Sequence, residues 1–137
     1  MKKIVLGYDE SEAAKRALER AAQLAKAFGS ELIVASVAPV VTSTARSGGP
    51  IDPTDTPADH VEELKHAKSY LDGEGLQADY VAAVGHPAET IVELARDRQA
   101  DLIVLGTHEP SAIARLFGQS VTDSVAHRVH CDVLVVH

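Results

Sequence analysis

Short apolar runs separated by stretches of helical periodicity constrain this chain more than any other feature. The runs span Lys3 to Tyr8, Glu31 to Val37, Ala78 to Val84, Asp101 to Gly106 and Asp132 to Val136. All but the third are continuous rather than alternating, as in strands covered on both faces. Between the first two, Ala14, Leu18, Ala21, Ala25 and Phe28 recur at spacings of four and three, with Lys15, Glu19, Arg20 and Lys26 on other faces. That is an amphipathic helix, stopped by Gly29. A second helix opens at Pro87, where a missing N–H costs nothing, and carries Ala88, Ile91, Val92 and Ala95. Glu62 to Leu71 and Val121 to Val129 supply two more. Strands alternating with helices imply right-handed crossovers and an α/β fold: a doubly wound parallel sheet with helices on both faces.

The length of 137 residues suits one domain, 1–137, with a core that needs no disulfide or metal. Hydrophobic residues make up 45% and aromatics only 4%, so Val, Leu, Ile and Ala must fill that core. A formal net charge of −7 argues against nucleic acid and anionic membrane as partners. The apolar run after Lys2 and Lys3 is too short for a signal peptide, and no run could span a bilayer, so a cytoplasmic protein is expected. Cys131 is the one cysteine; it has no intrachain disulfide partner and reads as an inert buried thiol. The segment 38–57, rich in Ser, Thr, Gly and Pro, reads as a mobile loop. It is either a plain exposed connection or a lid over a ligand.

Function points to Asp101–Val136, where a strand ends at Gly106, a loop follows, a helix opens near Ser120 and a second strand closes the unit. Such an order presents backbone N–H groups and a helix N-terminus to an anion, typically a phosphate. Ligands of open parallel sheets sit beyond the C-terminal strand ends, here Gly7-Tyr8-Asp9, Ser36-Val37-Ala38, Val84-Gly85-His86 and Gly106-Thr107-His108. With the segments KKIVLGYDESEAAKRAL, GHPAETIVELA, DLIVLGTHEPSAIARLFGQSV and CDVLVVH, the chain resembles the universal stress protein family over nearly its whole length. The resemblance implies a five-stranded sheet of order 3-2-1-4-5, an adenine-nucleotide alpha-hydrolase-like fold, and a homodimer. The apolar run Val133–Val136 at the sheet margin would leave an unpaired edge that such a dimer covers.

Nucleotide-binding members of that family carry a signature of Gly, two residues, Gly, nine residues, Gly, then Ser or Thr. Gly106 and Ser120 match its ends, but Glu109 and Gln119 replace the inner glycines. A glycine there lets phosphate approach the backbone, whereas Glu109 adds a charge. At about 4 Å and an effective dielectric of about 20, two like unit charges repel by about 4 kcal/mol. A flexible glutamate swings away and feels less, yet the direction is against a triphosphate. Gly118 substitutes for the lost glycine only by a shift of register.

The resemblance also matches Asp9 to an aspartate contacting the adenine and ribose end, and Val37 to a residue whose main chain meets the base. Asp9 with Glu12 reads equally as a helix N-cap, and Ser120 with Asp123 as another. His108 beside Thr107 is a candidate phosphate neighbour or a solvated loop histidine. Arg115 reads as a surface charge, and Arg46 reaches phosphate only under the lid reading. In Gly85-His86-Pro87 the glycine makes a turn and the proline starts a helix, leaving no assigned task for His86.

Rivals fit less well. A response-regulator receiver would share the acidic pair Asp9-Glu10 and Thr107, but it needs an aspartate after the third strand, where Val84-Gly85 stands, and a lysine where the last strand ends in His137. An ATP-using enzyme of the pyrophosphatase type needs a Ser-Gly-Gly loop after the first strand; Ser47-Gly48-Gly49 lies in the linker. The histidines show no zinc spacing, and His127 with His130 lacks a third ligand. The expectation is a non-catalytic stress-response binding or signalling module that requires no cofactor. ATP binding is weakened or absent, the alternative is a switch that takes AMP or ATP, and a protein partner is expected but unnamed.

Overall fold

The computed structural model describes residues 1–9, 11–38, 57–106 and 130–137, with the side chains of 57–60 and 87 outside that description. In chain order the elements are β1 (Lys3–Gly7), α1 (Glu12–Phe28), β2 (Glu31–Ala38), α2 (Pro57–Gly73), β3 (Ala78–Val84), α3 (Pro87–Asp97), β4 (Leu102–Gly106) and β5 (Asp132–Val136). The strands form one sheet of order β3-β2-β1-β4-β5, and every neighbouring pair is parallel. This is the order that the family resemblance implies.

Burial follows strand position. The central β1 and β4 are covered on both faces, with Ile4, Val5, Leu6, Ile103 and Val104 inaccessible to solvent, as continuous apolar runs require. β3, at one edge, mixes exposed and half-buried residues and has none fully buried, in keeping with its different sequence pattern. β5, at the other edge, keeps Val133–Val136 half-buried. On one face α1 and α2 pack Ala14, Leu18, Ala21, Leu64, Ala67 and Leu71 against Ile4, Leu6, Val34 and Val104. On the opposite face α3 packs Ala88, Ile91, Val92 and Ala95 against Val5, Ile33, Val37 and Leu105. Truncating a fully buried member such as Ile103 to alanine would cost about 3 kcal/mol.

Element ends depart from the sequence reading where local hydrogen bonds decide them. β1 stops at Gly7, although the Tyr8 N–H still donates to the Ala35 carbonyl at 2.9 Å. Asp101 lies just before β4, its carboxylate accepting from the backbone N–H groups of Lys2 and Lys3. α1 ends as expected at Gly29, whose φ of 64° is the left-handed conformation glycine adopts freely. Phe28, expected on the buried stripe, is instead 57% exposed at the final turn, and Ala13, Ala17 and Ala22 join the buried face. Ala38 and Pro57, read as the ends of a mobile loop, belong to β2 and α2. The intervening 39–56 and the helix expected over Val121–Val129 lie outside the described residues. Cys131 is half-buried, and burial pushes its thiol pKa up, with Asp132 and Asp101 adding to the effect. That disfavours the reactive thiolate.

Candidate functional site

α1, which follows β1, packs on one face and α3, which leads into β4, on the other, and the strand order reverses between β1 and β4, so the C-terminal ends of these neighbours form the switch point at which open α/β sheets hold ligands. The pairing Leu6–Val104 puts Gly106 level with Tyr8. The pairing Gly7–Ala35 puts Asp9 level with Val37. Three expected site residues, Asp9, Val37 and Gly106, therefore end neighbouring strands along one rim. Thr107, His108, Gly118 and Ser120 lie outside the described residues, as do Arg46, Glu109, Arg115 and Gln119.

Asp9 is exposed, and its Oδ1 accepts a hydrogen bond from the Ser11 N–H at 3.0 Å. It is not the N-cap read from the sequence. Ser11 caps α1, its Oγ accepting from the Ala14 N–H at 3.1 Å. The hydroxyl lies one residue before the helix and reaches the third N–H, which is the ordinary N-cap geometry. Asp9 thus shapes the turn into α1 with one oxygen and makes no other hydrogen bond among the described residues. Its neighbour Tyr8 is buried in the cluster beneath α1 and α2.

Gly106 carries a packing constraint independent of any ligand. A Cβ built there would lie 2.6 Å from the Ala13 carbonyl carbon and 2.8 Å from both the Ala13 oxygen and the Ala14 nitrogen. These are backbone atoms of the first turn of α1 and cannot swing aside. At Gly7 the same test meets only the movable ends of Ile91 and Leu105, each at 2.8 Å. Gly106 therefore lets β4 end against the start of α1, while Gly7 sits directly over α3.

Val37 is buried and shares its apolar cluster with Ala88 and Ile91 of α3. The following turn is tied to β2, since the Gly85 N–H donates to the Ala38 carbonyl at 2.8 Å. α3 then starts with Pro87 in its first turn and His86 as N-cap, with no side-chain capping bond. The His86 imidazole is exposed. Sequence reasoning assigned it nothing, and the signal that could have found it was its place directly after a strand end on this rim.

Ser36 was also missed. Its side chain is 1% exposed, and its Oγ donates to Glu63 Oε2 at 2.7 Å, anchoring α2 to the end of β2. The sequence offered only a small polar residue inside an apolar run. No group of three or more His, Cys, Asp or Glu among the described residues is placed to hold a metal. No described helix is long and apolar enough to cross a membrane.

The arrangement suits binding at a rim: an exposed carboxylate, apolar floor residues and tightly packed strand ends. The model of the universal stress protein family matches residues 1–137. A universal stress protein of Mycobacterium tuberculosis is 36% identical, covering 99% of this chain and 96% of its own. One from Methanocaldococcus jannaschii is 33% identical over 98% of this chain and 81% of its own. Among solved structures, a universal stress protein in complex with cAMP is 30% identical with a TM-score of 0.69, covering 99% of this chain and 97% of its own. The Archaeoglobus fulgidus universal stress protein in complex with dAMP is 26% identical with a TM-score of 0.68, covering 100% of this chain and 98% of its own. With its sheet order, its switch-point rim and this match from end to end, the chain belongs to the universal stress protein family.

Proposed function

We propose that this chain is a non-catalytic stress-response module that binds an adenine nucleotide bearing one phosphate and takes ATP weakly or not at all. The observation that carries the reading is the exposed Asp9 carboxylate, which follows β1 at the β1–β4 switch point and lies level with buried Val37 of β2. In this reading Asp9 accepts hydrogen bonds from the nucleoside, and the main chain of Val37 meets the base. Gly106 leads into the phosphate end, which is assigned on sequence grounds to Thr107, His108, Gly118 and Ser120.

The preference for one phosphate has two supports. Glu109 stands where the family signature has glycine, in a chain of net charge −7, so each added phosphate charge meets more repulsion. Proteins of the same fold were solved with cAMP and with dAMP, each of which carries a single phosphate. The whole chain acts as one domain in the cytoplasm, paired as a homodimer through the edge strand β5, where half-buried Val133–Val136 offer an apolar partner surface. The nucleotide acts as a reversible signal for a protein partner and is not turned over. Isothermal titration of the purified chain with AMP tests the reading: saturable binding at one site per chain is expected, and no heat of binding at millimolar AMP would overturn it.

A further inference from the structure

Resting on the nucleotide reading above, we infer that His86 is a specificity-determining residue whose imidazole stacks on the base. Val37 and Ile91 lie in one apolar cluster, and Ile91 reaches beneath Gly7. The first turns of α3 therefore form the wall behind the strand ends that carry Asp9 and Val37. The Gly85–Ala38 hydrogen bond fixes where that wall begins, immediately beyond the end of β2. His86 stands at that point, on the nucleoside side of the rim and away from β4.

Its side chain has no structural task that would hold it elsewhere. It caps nothing, is exposed, and makes no hydrogen bond among the described residues. The main chain is held without it: the His86 carbonyl accepts from the Thr90 N–H at 2.9 Å, and Pro87 starts the helix. A flat imidazole at the open side of a purine site supplies a stacking surface, with a ring N–H for the edge of the base. The other described aromatic at these strand ends, Tyr8, is buried in the cluster beneath α1 and α2 and offers no open π face.

Calorimetric titration of the full chain with adenosine and with AMP tests the assignment. His86→Ala should weaken both ligands by about tenfold, as loss of one base–aromatic stack does. His86→Phe should hold AMP close to the wild-type affinity, and neither change should move the melting temperature. An alanine variant that binds AMP like wild type overturns the inference. So does one that loses AMP but keeps adenosine, since the imidazole would then meet the phosphate. If the wild-type chain binds no AMP, the nucleotide reading fails and this inference with it. If AMP binding is intact and sensitive to Asp9→Ala but indifferent to His86, only the role of His86 falls.

Discussion

Asp101 and Asp9 are both aspartates beside central strands, at opposite ends of the sheet, and their surroundings differ in kind. At the N-terminal end, Asp101 Oδ2 accepts from the backbone N–H groups of Lys2 and Lys3 at 2.7 and 3.0 Å. The Asp101 N–H donates in turn to the Lys3 carbonyl at 2.8 Å. Those backbone hydrogen bonds, from Lys3 first and Lys2 second, hold its carboxyl pKa below the usual carboxylate range. Asp9, at the C-terminal end, has a single hydrogen bond among the described residues, to its own turn. The Asp101 carboxylate, held by two backbone N–H groups through one oxygen, ties β4 to the N-terminus, whereas under the proposed function the carboxylate of Asp9 is the one that meets a ligand. At the N-terminal end of the sheet the aspartate is thus tied to main chain of another segment, and at the C-terminal end it is tied only to its own turn.

Substitutions can break or sharpen that division. The largest effect should come from Gly106→Ala, which forces a Cβ into the backbone of α1 and should cost about 3 kcal/mol in a denaturant titration. Unchanged stability would mean that β4 does not end as close to α1 as described. Asp9→Ala comes next: AMP affinity should fall about tenfold, the size expected when a hydrogen bond to a charged group is lost, with the melting temperature held. A fall in melting temperature with no change in affinity would place Asp9 with Asp101 as a fold residue.

Asp101→Ala should do the reverse on a smaller scale, lowering the melting temperature while leaving AMP binding as it was. Because the folded pKa of Asp101 lies below its unfolded value, its contribution is fully present above the ordinary carboxylate range. It is lost as pH falls through the lowered folded value. Melting curves of wild type and Asp101→Ala should therefore converge on acidification, and a gap that widens would contradict the assignment.

The architecture was legible because burial writes a strong pattern. Short continuous Val/Ile/Leu runs bounded by turn residues read as covered strands, and Pro87 and Gly29 mark helix ends with backbone chemistry that few residues share. What escaped depended on long-range placement. Ser36 looks like any serine in an apolar run until α2 brings Glu63 to it, and Phe28 fits the helical period but falls on a turn that no described element covers. Asp9 and Ser11 are two residues apart, and both are good N-caps by type; only the backbone path decides that Ser11 takes the role. Gly106 was legible as a glycine with a purpose, but the purpose read from the motif was phosphate approach. The close contact with Ala13 and Ala14 shows that packing alone requires it. Of the candidate site, the rim residues could be named from strand ends, His86 among them, but what His86 faces needed the position of α3.

The preference for a single phosphate is tested most directly by competition on the wild-type chain, with a fluorescent AMP analogue bound and unlabelled AMP or ATP added. AMP should displace the analogue at low concentration, and ATP only at a large excess. Displacement by ATP at concentrations equal to or below those of AMP would contradict the account.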